Sequence, residues 1–583
     1  MTSNRELRRI FNELATARAL EGASSFRVAA HYRTARLLRG LDRELSDLQS
    51  TELDSLLERT EGLGAGAQRR LREILDTGVL REHRELLERV PRGLFEILDI
   101  PGLGPKAVRQ LWQELAVVDL AGLRAALDSG DVERLSGMGK KTVLNLREAL
   151  DWRARHGGRI PLGIALPIAE ELIGQLRSLP GVHRAAIAGS LRRGADSVKD
   201  LDLVVACNEP ATVAQVFTER AGGIVAQGDT KVSMRLEAEG RSIAADLRLI
   251  EEASWGAALL YFTGSKEHNV ELRQRARQRG MSLNEYGLWD STEPRPHENG
   301  ANRVAAATEE EIYRALELEV RPPELREEWG RAAPANELID VASVHTELHA
   351  HTTASDGRHS LHDLIGIAKQ RGYRVLAITD HSQSSAVAGG LEPQALVEHA
   401  AAVRAAASRV RDITVLAGSE VDILADGTLD YEDDLLASLD LVVASPHAAL
   451  QQEPAEATRR LVKAASHPHV DVLGHPTGRK VGRREGLRAD LAKVFRAAAE
   501  NGTAVEINAN WNRLDLKAEH VSSALEAGCS VAINTDAHHE SDFDNLRYGI
   551  VTGRRGGLTR EGCINCWPVE RLLDWLEKPS TER

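Results

Sequence analysis

Cysteine is scarce: four in 583 residues, at Cys207, Cys529, Cys563 and Cys566. So few cannot staple a chain of this size, which excludes a disulfide scaffold and fits a reducing compartment. Cys563 and Cys566 form an isolated CxxC, read as incidental. Long apolar runs are also missing. No stretch approaches membrane-spanning length, and the opening MTSNRELRRIFNELA has no apolar core before a cleavage site, so no membrane partner and a cytoplasmic location are expected. Positive charge is not in excess either. A net charge of -13 excludes a uniformly basic coat and leaves any nucleic-acid affinity to local patches. Most pointedly, no lysine occurs before Lys106, so chemistry that needs a lysine side-chain amine has no donor there.

What is present is enough for several domains, because 583 residues with 42% hydrophobic content exceed what one core organises. Leu7, Ile10, Phe11 and Leu14 recur at helical spacing, and similar patterning with interleaved arginine runs to about Val90. Within that stretch lies a GxG turn, Gly62, Gly64 and Gly66, and two related turns follow, Gly102 and Gly104 with Lys106, then Gly137 and Gly139. Each is expected to join two helices. Glycine lets backbone approach a phosphate, and amides at the next helix N-terminus point at it, which positions DNA without reading its sequence. These turns resemble the helix-hairpin-helix motif.

Residues Gly189 to Val205 read GSLRRGADSVKDLDLVV. In an extended strand Asp200 and Asp202 share one face while Leu201 and Leu203 take the other. Paired carboxylates repel unless a cation lies between them, and Mg²⁺ is commonly held by one or two carboxylates plus substrate phosphates. Gly189 and Ser190 offer an amide and a hydroxyl; Arg192 and Arg193 offer fixed positive charge. A second apolar strand, SIAADLRLI, is interrupted by Asp246, with Arg248 on the same face. The pattern reads as a nucleotidyl-transfer site.

These residues, with Tyr261-Phe262-Thr263-Gly264-Ser265, Asn269, Arg273 and Asn284-Glu285-Tyr286 in order, resemble the family X DNA polymerases, the group that includes polymerase beta. The resemblance implies that Asp200, Asp202 and Asp246 hold two Mg²⁺ or Mn²⁺ ions and that Asp246 helps activate the primer 3′ hydroxyl. Ser190, Arg193 and Arg159 would hold the β and γ phosphates of a dNTP, beside Gly189 and Gly264. Tyr261 and Phe262 would crowd the sugar, Asn269 would reach the minor-groove edge, and Arg273 would meet the template. Lys266 stands where polymerase beta has an acidic residue, and Arg70 where it has the lysine that forms a Schiff base with a 5′ deoxyribose phosphate. A guanidinium cannot do that chemistry, so no lysine-dependent lyase activity is expected. Arg275 and Arg279 read equally as DNA contacts or as solvated charge.

After Val344 short apolar strands alternate with alanine-rich helices, the rhythm of an α/β barrel. Strand after strand ends in a ligand type: His349 and His351, Asp380 and His381, Glu420, His447, His475, then Asp536 and His538. Barrels gather such strand ends at one mouth, and imidazoles mixed with carboxylates suit Zn²⁺, Mn²⁺ or Fe²⁺. This half resembles the PHP (polymerase and histidinol phosphatase) domain. The resemblance assigns up to three ions to nine ligands, His349, His351, Asp356, His381, Glu420, His447, His475, Asp536 and His538, and leaves Glu347 outside the set. Arg479 reads either as a phosphate contact or as a solvated arginine.

The expected architecture is multidomain: a helical domain over 1–90, helix-hairpin-helix over 91–150, an α+β palm over 151–254, a nucleotide-selection subdomain over 255–320, a linker over 321–343 and the barrel over 344–575. The function implied is gap-filling polymerisation in DNA repair with metal-dependent 3′ to 5′ exonuclease or phosphoesterase action. The partners implied are gapped or nicked duplex DNA and dNTPs, with the chain a nucleoid-associated monomer. The rival readings are an end-processing nuclease or phosphatase that uses its N-terminal half as a DNA clamp, and a noncatalytic scaffold.

Overall fold

The computed structural model describes residues 4–577 apart from 40, 42, 61–62, 99, 101–102, 157, 220–221, 239–240, 294–295, 299–300 and 331. The chain folds as two units, Met1–Gly157 and Gly158–Arg583.

The first unit is helical throughout its described residues. The stripe Leu7, Ile10, Phe11, Leu14 lies on the buried face of helix Asn4–Glu21, none of the four more than 6% exposed. Each such side chain contributes about 1.5–3 kcal/mol through burial, before the entropy of ordering it. One hydrophobic core continues through Leu71 and Leu111 to Leu150. Gly64 precedes helix Ala65–Thr77, Gly104 precedes Pro105–Leu115, and Gly139 precedes Lys140–His156. Gly62 and Gly102 lie outside the described residues. A Cβ on Gly64, Gly104, Gly137 or Gly139 would meet no atom within 4 Å, so these turns face open space. Gly66 differs, lying inside its helix with Arg70 Nη1 3.2 Å from where its Cβ would be.

The third turn departs from the expected pattern. Helix Leu120–Asp128 stops at Gly130, whose φ of +78° is the left-handed conformation that ends helices, and only the 3₁₀ turn Val132–Arg134 precedes Gly137. Arg70 is also committed internally. Its Nε donates to Glu82 Oε2 at 2.7 Å and its Nη1 to the Gly66 carbonyl at 3.0 Å, while Arg18 donates to Glu82 Oε1 at 2.8 Å. Burial would raise the Glu82 carboxyl, and Arg70 and Arg18 outweigh it, holding the group below its usual range.

In the second unit, a five-stranded sheet has the spatial order Val182–Ile187, Asp200–Cys207, Arg241–Ile250, Lys231–Ala238, Gly223–Gln227. Its second and third strands are parallel, and the remaining neighbours antiparallel. Helices Leu162–Arg177 and Pro210–Thr218 pack on one face through Leu172, Val213 and Phe217. Helices Trp255–Thr263, Lys266–Gln278 and Glu309–Ala315 then enclose a small core with the sheet formed by Ser282–Asn284, Gly287–Trp289 and Arg303–Ala305. The first part of the stretch 321–343 is packed, which composition alone did not indicate, whereas Ala332 and residues 334–337 are exposed. Arg326 is 0% exposed and its Nη1 meets Glu309 Oε1 at 2.9 Å.

The C-terminal part holds seven parallel strands in sequential order, from Thr346–Glu347 to Val531–Asn534. The two edges meet through His351 N to Ala537 O at 2.9 Å. Strand alternation sorts the residues: Val375, Ala377, Leu441 and Val443 point inward, while Leu376, Ile378, Val442 and Ala444 face the helices. Ile564, Trp567 and Trp575 join the inward layer, and a bridge from Cys563 to Val531 places this plug at the N-terminal strand ends. The opposite mouth is left for polar residues. Cys563 and Cys566 are free thiols.

Candidate active sites

The first site is built where the sheet crosses the Gly189 turn. Asp202 lies opposite Asp246 in the parallel register, with Asp200 two residues earlier on the same face. The turn presses onto this face: Gly189 has φ +60°, and a Cβ there would lie 2.0 Å from Asp202 Oδ2. Burial first, then the charges of Asp200 and Asp246, push the Asp202 carboxyl up to about 6. That is what crowding of like charges in a partly buried place does, and Arg248 and Lys231 oppose it without cancelling it. A cation from the protein already touches one of them, since Lys231 Nζ lies 2.6 Å from Asp246 Oδ2. Sequence reading missed this lysine, which reaches across from the neighbouring antiparallel strand.

The other residues singled out around this site fall into two groups. Ser190 and Arg193 are on the Gly189 turn; Arg193 Nε donates to Glu327 Oε1 at 2.9 Å and Nη1 to the Thr263 carbonyl at 2.6 Å. Arg192 is taken up by Glu309 through both terminal nitrogens, at 2.9 and 2.7 Å. Arg159 Nε donates to Ser197 Oγ at 3.0 Å, close to the turn in sequence and space. Tyr261, Asn269, Arg273 and Asn284 line one shallow recess, and Asn269 Nδ2 donates to the Tyr261 carbonyl at 2.8 Å. Arg248 lies over the Phe262 ring, 4.7 Å from its centroid, and both line a cavity of about 640 Å³ with Glu285, Tyr286 and Trp289. None of the three acids lines that cavity. Gly264, with φ +69°, caps helix Trp255–Thr263, and its Cβ position is 3.4 Å from Arg193 Nη1. Arg279 and Arg275 are held by Glu317 and the Leu316 carbonyl rather than being free in solvent.

The second site occupies the polar mouth of the barrel, and all nine expected donors converge there. Glu420 is the hub: His475 Nε2 at 2.8 Å, His381 Nδ1 at 2.9 Å, His447 Nε2 at 3.3 Å, His349 Nε2 at 3.4 Å and His351 Nε2 at 3.6 Å surround its oxygens. Asp356 Oδ1 lies 3.4 Å from His381 and 3.1 Å from His538, and Asp536 Oδ1 lies 3.2 Å from His351. Three overlapping groups have donor atoms all within 4.8 Å of one another: His351, Asp356, His381 and His538; His349, His351, Glu420 and Asp536; and His381, Glu420 and His447. Among the described residues these are the groups so gathered, and the Asp200, Asp202, Asp246 trio is not one of them.

The donor set fits metal ions on two counts. Nε2 of His349, both nitrogens of His351, Oδ1 of Asp356, Oε2 of Glu420 and Oδ1 of Asp536 are buried yet lack hydrogen-bond partners, which is costly unless something else occupies them. Outer carboxylates also hold the far sides of the rings, as metal-binding imidazoles require. Glu506 Oε1 meets His349 Nδ1 at 2.8 Å, and Asp422 Oδ1 meets His447 Nδ1 at 3.0 Å. His447 is pushed up to about 10: burial lowers it, and Glu420 and Asp422 more than reverse that. Sequence reading missed Glu506, which sits mid-strand in AVEIN.

Two further residues fall differently from expectation. Asp380 is spent on the loop bearing the donors, accepting from Thr352 N and Oγ1, Ser355 N and Oγ, and His399 Nε2. Arg479 is neither solvated nor open to a phosphate, being 8% exposed and ion-paired with Asp196 beside the Gly189 turn. Glu347 is outside the donor set, as expected, accepting from Thr535 and pushed up to about 8 by burial.

Comparison with known proteins follows this division. Residues 258–327 match the DNA polymerase beta thumb and 347–510 the PHP domain. The DNA polymerase/3′-5′ exonuclease PolX of Bacillus subtilis (strain 168) is 36% identical over 579 residues, 98% of this chain and 99% of that protein. The chain belongs to the PolX family of DNA polymerases. The barrel alone is also similar to smaller proteins. A probable phosphatase of Edwardsiella ictaluri (strain 93-146) is 30% identical over 242 residues, 40% of this chain and 94% of that protein. A probable phosphatase of Shewanella sediminis (strain HAW-EB3) is 28% identical over 242 residues. In this PolX-family chain the thumb match runs to residue 327, taking in only the start of the stretch 321–343 that composition had suggested was a linker, including Arg326 and Glu327.

Gly189 provides a direct test of the palm geometry. Alanine there would meet Asp202 and would hold a left-handed φ that costs an L-residue about 1–2 kcal/mol. Primer extension by Gly189→Ala is expected to fall more than about tenfold, with phosphoesterase activity on single-stranded DNA retained.

Proposed function

We propose that this chain is a template-directed, gap-filling DNA polymerase of DNA repair whose barrel removes nucleotides from 3′ ends. Asp200, Asp202 and Asp246 would hold two Mg²⁺ or Mn²⁺ ions, and the nine barrel donors up to three Zn²⁺, Mn²⁺ or Fe²⁺ ions. Bound ions supply Lewis acidity toward phosphate oxygens in both places. Around them the protein binds and orients. Arg193, Arg159 and Ser190 hold the β and γ phosphates of the dNTP, Tyr261 and Phe262 close on its sugar, and Asn269 and Arg273 check the nascent pair. Asp246 takes up the proton of the primer 3′ hydroxyl. The open glycine turns of the first unit hold the backbone of gapped or nicked duplex, and the chain works as a monomer at the nucleoid, in the cytoplasm.

The observation that carries this reading is the presence of two separate acid-centred sites in a chain matched end to end by a polymerase/exonuclease. It is tested on a labelled duplex with a one-nucleotide gap in Mn²⁺, with and without dNTPs. Extension is expected to be lost in Asp202→Ala only, and shortening in His351→Ala only. A second reading, an end-processing nuclease or phosphatase with a DNA clamp, draws support from the tighter gathering of the barrel donors and from the Lys231–Asp246 pair. Under that reading Asp202→Ala leaves the main activity intact.

The first unit is further proposed to lack lysine-dependent lyase chemistry. Its first lysine is Lys106, and Arg70 is bound to Glu82. Borohydride reduction of the protein with a 5′ deoxyribose-phosphate substrate is expected to trap no cross-link on any side chain within residues 1–90.

A further inference from the structure

The turn that carries Ser190 and Arg193 is backed by a helix of the barrel. Helix Leu546–Arg555 follows the donors Asp536 and His538, and its opposite faces enter different cores: Leu546 and Ile550 join the barrel core, Tyr548 and Val551 the palm core. Its end lies directly against the turn. A Cβ on Gly194, where φ is +73°, would meet Val551 Cγ1 at 1.9 Å and Arg555 Cδ at 3.4 Å.

Arg555 closes the helix, 8% exposed, and its Nη2 donates to Glu327 Oε2. The other oxygen of Glu327 accepts from Arg193 Nε at 2.9 Å. One carboxylate is thus shared between a palm arginine and a barrel arginine, with side-chain exposures of 16% for Arg193, 12% for Glu327 and 9% for Arg555. Burial would raise Glu327, and Arg555 and then Arg193 outweigh it, so the group stays ionised. With Nε on Glu327 and Nη1 on the Thr263 carbonyl, the Arg193 guanidinium has two of its nitrogens fixed and its plane set before any ligand arrives. Preorganisation of this kind lowers the entropy lost when a long side chain binds an anion.

We propose that Arg555, acting through Glu327, is a positioning residue for nucleotide addition: a barrel arginine sets how the palm arginine Arg193 meets the triphosphate. This rests on the reading that Arg193 holds the β and γ phosphates. Without Arg555, Glu327 would lose one of the two guanidinium groups that fix its orientation, and the carboxylate could turn and take the Arg193 guanidinium out of its set plane. Glu327→Gln keeps one acceptor oxygen, loses the charge and turns a donor toward one of the two arginines, so the hold on Arg193 Nε weakens. Both changes loosen the same hydrogen-bonded chain, so their effects should not add.

The test uses the full chain on a one-nucleotide gap, measuring kcat and KM for the dNTP in Arg555→Ala, Glu327→Gln, the double variant and Arg555→Lys, with thermal unfolding followed for each. Each single variant is expected to raise KM for dNTP about tenfold with kcat within about twofold. The double variant should be no worse than the weaker single, and Arg555→Lys should recover most of the loss. Glu327→Gln is isosteric and carries the test should Arg555→Ala fail to fold. A fall in KM in Glu327→Gln would mean that the carboxylate competes with the phosphates, and would overturn the proposal, as would additive effects or unchanged KM in both single variants. Arg193→Ala separates the two levels of inference. Unchanged KM there defeats the reading of Arg193 itself, whereas raised KM there with unchanged KM in Arg555→Ala and Glu327→Gln defeats only the role of Arg555.

Discussion

Asp202→Asn abolishes nucleotide incorporation and, in chelator, makes the protein more stable. The first effect follows from removing a charged donor between Asp200 and Asp246; a loss of at least about a thousandfold, or ~4 kcal/mol of barrier, is expected. The second follows from the sign of the pKa shift. Asp202 is raised from 3.8 to about 6, by burial first and then by its two neighbours, so the folded chain binds a proton that the unfolded chain gives up. Stability that depends on this group is therefore complete below pH 4 and is lost as pH rises through about 6. The interval is worth about 3 kcal/mol at neutral pH, reduced by whatever solvent reaches a carboxyl that is only partly enclosed. Asparagine cannot ionise and so escapes the loss. Denaturant unfolding in EDTA at pH 4 and at pH 8 measures it: the variant should match wild type at the lower pH and exceed it at the higher. Equal stabilities at both would mean that the acids are not crowded in the metal-free chain, and divalent metal should narrow the gap at pH 8 by restoring the missing countercharge to wild type.

Much of this was legible because it is local. Period-two alternation put Asp200 and Asp202 on one face with no knowledge of the fold, and short apolar runs alternating with alanine-rich helices predicted strands whose ends carry donors. The convergence of those ends followed from the one topology that brings successive strand ends to a single mouth. What escaped depends on chain segments far apart. Nothing in KVSMRLEA says that Lys231 will reach Asp246, because the pairing is set by which strand lies next to Arg241–Ile250. Arg479 meets Asp196 across 283 positions, and Arg555 meets Glu327 across 228. Glu506 was passed over, yet a carboxylate inside an apolar strand with no charge partner in its own segment is itself a signal that a distant donor must meet it. The start of the segment 321–343 escaped for a related reason: proline, alanine and charge describe an exposed connector, which residues 334–337 are, unless arginines and glutamates find partners, as Arg326 and Glu327 do.

Glu420→Gln is expected to abolish barrel phosphoesterase activity and to lower the metal content of the purified protein, with gap filling retained. Its oxygens lie within 3.6 Å of five imidazoles, so it belongs to two of the three donor groups and its loss breaks both. Glutamine keeps the shape but removes the charge that offsets cations or protonated rings. The carboxyl is held well below its ordinary range: burial would raise it, and His447, His349 and His381 overcome that. By the sign rule for a depressed acid, the stability it contributes is present above its unfolded pKa and is lost as pH falls toward the folded value. In wild type, metal binding must also displace protons from rings such as His447, raised to about 10, so metal uptake should tighten steadily as pH rises from 6 to 8. Elemental analysis after dialysis against Mn²⁺ or Zn²⁺ at those two pH values checks this directly. Loss of about one ion or more in Glu420→Gln, with activity on single-stranded DNA down by at least about a thousandfold, is the expected result. Full metal content with full activity would show that the imidazoles meet around Glu420 for stability alone.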